Sequence, residues 1–564
     1  MDEKDSTDYH SVPYDGLNDR KKSDDKEKLR NLRKSLEHQI KVASKKDLKE
    51  TSRKSGALYT YYFRENIVLI VTLVISILSI YFFWCTYNYW KIVRYKNILE
   101  PNSRALRTFK NVPMENMRLC ITIFNYTNID EYNINASTPF KVNNVGPYCF
   151  RDVPSKKNLV FNDNETELSY QENSDITFLQ KESAGSLDDV VIVPNIPLLS
   201  VVHQVLEHSL VIRLGMLTKL KLNNYEPFLV LKVRSFLYGY DDDLLAWIYK
   251  VGSALGYPTG YSMQKFSLLT SIMTSINSNY TLNTGKSSLD ELGDLKIYNK
   301  QSRMNVWKTD ECNAFRGSYG AYWPPETVRQ GGNVSFFNGL LCRNVPLVKE
   351  KDTRYANFIS VVRYQSSPDL FTYPSDHEES CYCLEEPCID NLFSVGKCLR
   401  GPFVLSYKNF HGVDREELQH IDFSNLTPPQ HDDDWKTHFD IHPGLGNTMS
   451  FKTTFQMNLQ VKKKAYVSEF PMRLEHGMIL PAVIIERGGP HLNTKTNILL
   501  IVLSVVEGTF QYGSVILAFL TIFILIKRWR ALDRLFYVHN VTVSPPIMMY
   551  QQAKVEPRPR YVHP

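Results

Sequence analysis

The chain has no G-x-S-x-G elbow, no phosphate-binding loop, no H-E-x-x-H pair and no G-x-G-x-x-G turn. Those absences remove the sequence signatures of α/β-hydrolases, P-loop nucleotide hydrolases, zinc proteases and dinucleotide-dependent enzymes. A protein that is not an enzyme, and that needs no cofactor, is the resulting expectation. No basic stripe with interleaved aromatics is present, which sets nucleic acid aside as a partner. There is no internal repeat and no long low-complexity segment, so a solenoid is not expected. The first 60 residues are strongly polar and offer no apolar core for a cleavable signal peptide. Cysteine is missing from both ends: Cys85 lies in an apolar run, and the other eight fall between Cys120 and Cys398.

Two long apolar runs are present. The first covers residues 67–90 and the second residues 498–526. A helix needs about 20 apolar residues to cross a bilayer, so each reads as a transmembrane helix. Two crossings put residues 1–66 and 527–564 on one side as tails and residues 91–497 on the other. That middle block is long enough to bury a large core or to enclose a cavity.

The net charge of +6 conceals an uneven distribution. Residues 1–66 hold 16 Lys+Arg against 13 Asp+Glu, and residues 527–564 hold 7 against 2. The tails therefore carry +8 and the remainder −2, which suits attraction to anionic lipid next to a membrane. Lys527, Arg528, Arg530 and Arg534 after the second run fit a cytoplasmic C-terminus. The first run is ambiguous by the same rule, because Lys91, Arg94 and Lys96 follow it directly. An even number of cysteines confined to the middle block decides for an oxidising compartment there. The N-x-S/T triplets at Asn125, Asn135, Asn164, Asn279, Asn333 and Asn425 agree, marking candidate glycosylation sites; Pro428 follows the last triplet directly and makes it a poorer one.

Within the N-terminal tail, Leu29, Leu32, Leu36 and Ile40 recur at helical spacing among Lys and Arg over residues 23–50. Such a helix would lie on the inner leaflet or stand as a solvated charged helix. Tyr9 and Tyr14 each precede an apolar residue at +3, the pattern of cytosolic endocytic signals. In the middle block, Arg118–Tyr126 and Gly146–Val153 read as strands. Leu198, Val202, Val205, Leu206 and Leu210 fit a helical stripe, and short strands with Gly/Pro turns follow residue 280. The class is α+β with a β-rich core.

Three features carry possible chemistry. Glu507, with Gln511 and Ser514, lies in the second run and could line a pore, although an interfacial position accounts for the carboxylate as well. His431, His438 and His442 lie among Asp432, Asp433, Asp434 and Asp440, a set that could bind a divalent ion but that also reads as a polar surface loop; no metal is expected. Cys381, Cys383, Cys388 and Cys398 are close together, with Cys312 and Cys342 upstream. In a strand Cys381 and Cys383 would point to opposite faces and need different partners.

The segment beginning NTGKSSLDELGDLKIYNKQSRMNVWKTDEC at Asn283 resembles the class B scavenger receptor family. NNVGPYCFRDV from Asn143, FLYGYDDDLLAW from Phe236, CYCLEEPCIDNLFSVGKC from Cys381 and FDIHPGLGNTMSF from Phe439 resemble it too, in order. The resemblance covers the middle block and both apolar runs but not the tails. It implies two transmembrane helices flanking a large antiparallel β-barrel ectodomain, with an apical helical bundle near residues 195–225 and an internal tunnel. It implies pairing of Cys312 with Cys381, Cys342 with Cys398, and Cys383 with Cys388. Cys120 and Cys149 fall outside that set and are left as a fourth bridge or as free buried thiols. By the same resemblance, Arg213, Lys219 and Lys221 at the apex would meet anionic ligands.

The implied function is a receptor for lipids, fatty acids or lipoproteins, mediating uptake or transfer to the membrane. It would reside in the plasma membrane, or in endosomes and lysosomes, with both termini cytoplasmic, and the reading allows a homo-oligomer. A two-span ion channel subunit and a phagocytic or adhesion receptor for a protein are the alternatives. Tyr238 stands where relatives commonly carry Trp, and Asp242-Asp243 replaces an acidic-Pro step, so ligand identity is the part that transfers least.

Overall fold

A computed structural model describes residues 19–86, 88–110, 117–205, 210–254, 265–373, 378–384, 387–462, 474–490 and 494–543. The Tyr9 and Tyr14 signals lie outside these residues. The chain divides into two compact units, residues 86–508 and the pair of terminal segments around them.

The larger unit is built on a fourteen-stranded sheet. Eleven strands form its path, here β1 (Arg118–Tyr126), β2 (Phe140–Phe161), β3 (Glu167–Phe178), β4 (Asn279–Asn283), β5 (Leu295–Tyr298), β6 (Val334–Asn338), β7 (Arg343–Tyr355), β8 (Ile359–Ser366), β9 (His438–Ile441), β10 (Thr448–Gln460) and β11 (Ile479–Pro490). Their spatial order is 6-7-8-9-10-11-1-2-3-4-5, antiparallel throughout. Each neighbour on this path is the next path strand along the chain except β11 and β1, although other strands intervene in sequence between β3 and β4 and between β8 and β9. The first and last strands meet in the middle, and the two edges are β5 and β6.

Those edges nearly close on each other. Ser318 bridges Asp294 beside β5 and Phe336 in β6. The Leu295 amide donates to Gly317 (3.1 Å) and the Ser318 amide to Ser335 (3.1 Å). Gly317 has φ +79°, and a Cβ there would stand 2.5 Å from the Ser335 carbonyl oxygen. Only glycine lets the linking segment approach this closely. Near-closure removes the exposed edges that an open sheet of this width would present.

Strand β1 is buried on both faces because the ribbon Val190–Pro194/Phe228–Lys232 lies over it. The amide of Ile192 on that ribbon donates to Asn125 Oδ1 at 2.8 Å. Four disulfides staple the unit: Cys120–Cys149, Cys312–Cys381, Cys342–Cys398 and Cys383–Cys388. Cys120 and Cys149 are direct partners in the β1–β2 register. The Cys312–Cys381 and Cys342–Cys398 bridges close loops of 69 and 56 residues, each worth about 3–5 kcal/mol in the chain-entropy account.

The terminal unit is an antiparallel helical pair. One helix runs Asp19–Ile80 without a break, so the tail helix and the first span are one element. Leu29, Leu32 and Leu36 are exposed along it. The helix gives way to a wider turn at Tyr81–Cys85. The other helix runs Thr494–Val543. Both contain segments long and apolar enough to cross a membrane, Tyr59–Cys85 and Lys495–Leu535.

Candidate functional site

Three regions could carry function: the helical apex, the barrel interior, and the helical pair.

The apical expectation near residues 195–225 corresponds to helices Ile196–Val205 and Leu210–Asn223, which pack on each other. Arg213, Lys219 and Lys221 all lie on the second. At about 100° per residue, Lys219 and Lys221 stand about 160° apart and Arg213 about 80° from Lys221. The three cations therefore do not share one face. Met216 and Leu220 are buried, Arg213 and Lys219 are half-buried, and the open face carries Leu214, Thr218, Lys221 and Leu222. Leu214 is 57% exposed and Leu222 76%. This helix thus presents an apolar face edged by cations, which a reading by charge alone leaves out. The helical periodicity of Leu214, Lys221 and Leu222 was the available signal.

Inside the barrel lies a polar belt that the sequence did not announce. The alternation of β2 turns Tyr148, Phe150, Asp152, Pro154 and Lys156 to its buried face. Lys156 sits opposite Glu172 on β3, with Nζ 3.7 Å from its carboxylate and 4.6 Å from the Phe109 ring centre. Asp152 is fully buried and accepts from Arg487 Nε at 2.6 Å. Next along the register, Tyr170 and Tyr280 stack at 5.6 Å, and Tyr280 meets Tyr298 at 5.4 Å. Burial lowers the Lys156 pKa and Glu172 opposes the shift. Burial raises the Tyr170, Tyr280 and Tyr319 hydroxyls well above their ordinary range. Among the described residues the Tyr170 hydroxyl has no hydrogen-bond partner. Tyr280, Tyr319 and Tyr322 keep part of their surface open.

The histidine–aspartate group is dispersed among other partners. Asp440 takes two hydrogen bonds from Arg363 (2.7 and 3.0 Å) and one from Ser450 (2.7 Å), and Arg363 also reaches Asp433. His442 is buried elsewhere, with Nδ1 accepting from the amides of Gly444 and Leu445 (3.1 Å each). Among the described residues no three His, Cys, Asp or Glu side chains are placed to hold an ion.

The candidate pore residues are engaged within the protein. Trp90, placed at the end of the first span by hydropathy, is instead buried with Ile359, Val361, Leu445, Met449 and Leu500. Its Nε1 donates to Glu507 at 2.6 Å. In the helical pair, Gln511 donates to the Phe83 carbonyl (3.0 Å) and the Phe83 and Phe510 rings stack at 5.3 Å. Ser514 is buried and donates to Gln511. At the other end Tyr62 donates to Leu525 and Arg528 to Asn66, both at 2.7 Å. Small polar residues and interhelical hydrogen bonds are the usual means of packing helices in lipid.

Of the candidate glycosylation residues, Asn135, Asn164, Asn279, Asn333 and Asn425 are exposed. Asn125 is half-buried, its amide donating to Asn143 (3.2 Å) while its oxygen holds the Ile192 amide.

Comparison with known proteins matches this arrangement. The model of the CD36 family matches residues 67–529. Scavenger receptor class B member 1 of Rattus norvegicus is 27% identical over 410 residues, covering 71% of this chain and 76% of that protein. Lysosome membrane protein 2 of Homo sapiens is 26% identical over 372 residues, covering 65% and 74%. With a match running from the first span through the barrel and into the second, the chain belongs to the CD36 family, the class B scavenger receptors, as a two-span membrane protein.

Proposed function

We propose that this protein is a receptor that captures lipids, lipoproteins or other anionic ligands at its apex and passes lipid through the barrel interior to the bilayer. The observation that carries the reading is the pairing of an open apolar face, Leu214 and Leu222, with Lys221 on one apical helix. Apolar side chains seat the surface of a lipid particle and the cation attracts its anionic groups. The interior tyrosines Tyr280, Tyr319 and Tyr322, part of whose surface is open, offer polar heads a partner on the way, while an apolar wall spares the chains exposure costing about 0.8 kcal/mol per CH₂. In this reading residues 91–497 face the cell exterior or an organelle lumen, both tails are cytoplasmic, and the spans are tethers. Engagement of Glu507, Gln511 and Ser514 within the protein supports tethers over pore walls. The name of one relative, lysosome membrane protein 2, adds the lysosomal membrane to the plasma membrane as a place of residence in this reading.

The test uses the full chain in cells given fluorescent vesicles of phosphatidylserine and phosphatidylcholine. Uptake should rise with expression, and extracted lipid should co-purify with the protein by mass spectrometry. Protein at the surface with neither uptake nor bound lipid would overturn the reading. An ionic current abolished by Glu507→Ala would favour the channel instead.

A further inference from the structure

The turn joining β7 to β8 carries a phenylalanine left largely open among the described residues. Tyr355 pairs with Ile359 across it, Ala356 and Asn357 adopt left-handed backbone (φ 49° and 65°), and the Phe358 amide donates to the Tyr355 carbonyl at 3.2 Å. This tight reversal leaves Phe358 at the tip, 69% exposed. A large aromatic at a loop tip is unusual in a soluble surface.

Its surroundings are the segments by which the chain enters its spans. Ile359 and Val361, the next two inward residues of β8, pack with Trp90 and Leu500. Trp90 follows the first span, and Leu500 lies on the helix of the second. The Tyr355 hydroxyl accepts from Asn497 at 3.2 Å. Other apolar side chains on these segments are open too: Ile92, Tyr95, Ile498 and Val502. Exposed Lys91, Lys96, Arg354 and Lys495 alternate with them. The apolar run Ile498–Ile526 would be about 43 Å long as a helix, close to the full bilayer of about 40–45 Å with its headgroups rather than the hydrocarbon alone. Its first turns, at Ile498 and Val502, therefore belong at headgroup depth, the level of Tyr355 and Phe358.

We propose that this base is a membrane-seating surface: Phe358 at the β7–β8 tip, with Tyr95 and Ile92, inserts into the interfacial layer of the outer or lumenal leaflet while Lys91, Lys96, Arg354 and Lys495 meet its phosphates. Aromatics and snorkelling cations are the residue types that settle at that depth. The partner is the bilayer that the same chain crosses, because the surface is continuous with both points of entry. Seating of this kind fixes the barrel against the leaflet, and it rests on the two-span topology, not on the lipid-transfer reading.

The test places a bimane probe at Phe358→Cys in the full chain, in a Cys85→Ala background where the remaining cysteines are in disulfides. The protein is reconstituted in phosphatidylcholine nanodiscs with or without headgroup-proximal nitroxide lipid, with Asp163→Cys in the exposed β2–β3 turn as reference. A blue-shifted emission, quenched at least twofold by the nitroxide lipid and protected from aqueous iodide, is expected at position 358. Emission and quenching equal to the position 163 reference would overturn the proposal. Tyr95→Cys gives the same two outcomes should the first variant fail to mature.

Discussion

The barrel interior and the apical helix both carry cations, and the two sets do opposite things. Inside, Lys156 faces Glu172 and Arg487 holds Asp152, each charge paired where solvent is scarce. At the apex, neither Lys219 nor Lys221 forms an ion pair with a described residue, and Lys221 stands open beside Leu214 and Leu222. A buried charge without its partner is costly, whereas an exposed one is nearly free. The interior cations are thus bound to the fold, whereas Lys221 is open to solvent.

The largest effect should come from splitting an interior pair. Arg487→Met strands Asp152 in the core and should cost about 3–5 kcal/mol. The readout is loss of mature surface protein and of thermal stability in detergent. Adding Asp152→Leu should recover most of the loss; if it does not, the pair is not the reason Arg487 matters.

A buried neutral base sharpens the contrast with pH. Desolvation pushes His442 down to about 4 from an ordinary 6.5. The unfolded chain then binds the extra proton across that window, so this stability is fully present above about pH 6.5 and is lost as pH falls towards 4. At pH 5 the loss should approach about 2 kcal/mol. His442→Asn, which keeps an acceptor for the Gly444 and Leu445 amides, should flatten the acid limb of a melting-temperature profile. An unchanged slope would place the acid sensitivity elsewhere.

The smallest effect on folding belongs to the apex. Lys221→Glu should leave stability within about 0.5 kcal/mol yet reduce uptake of anionic vesicles several-fold, and the wild-type signal should fall with salt. Lys219→Glu, on the other side of the helix, should do less. Equal losses from both would show that the open face is not the contact. Among glycosylation sites, peptide mapping should find Asn125 unmodified while the exposed asparagines are available.

Much of the architecture was legible in sequence. Apolar runs gave the spans, strand-like segments gave a β-rich class, and motifs recurring in order along the middle block gave the family. Hydropathy nonetheless placed Trp90 in lipid, because a scale cannot distinguish lipid from a protein core; packing against Ile359 and Leu500 decided it. Cys120 and Cys149 were left open for a related reason. Whether two strand cysteines meet depends on register, and the β1–β2 register sets them opposite each other. Arg213, Lys219 and Lys221 were grouped by proximity along the chain, which helical rotation then separated.

What the sequence determined alone is local and compositional: where a helix can cross a bilayer, which tails are basic, how many cysteines share a compartment. Tertiary structure decided what depends on distant partners. It brought β11 beside β1, turned Lys156 and Asp152 inward onto Glu172 and Arg487, and left Leu214, Leu222 and Phe358 uncovered. Burial and exposure are properties of the neighbours a residue acquires, and those neighbours lie hundreds of positions away in the chain.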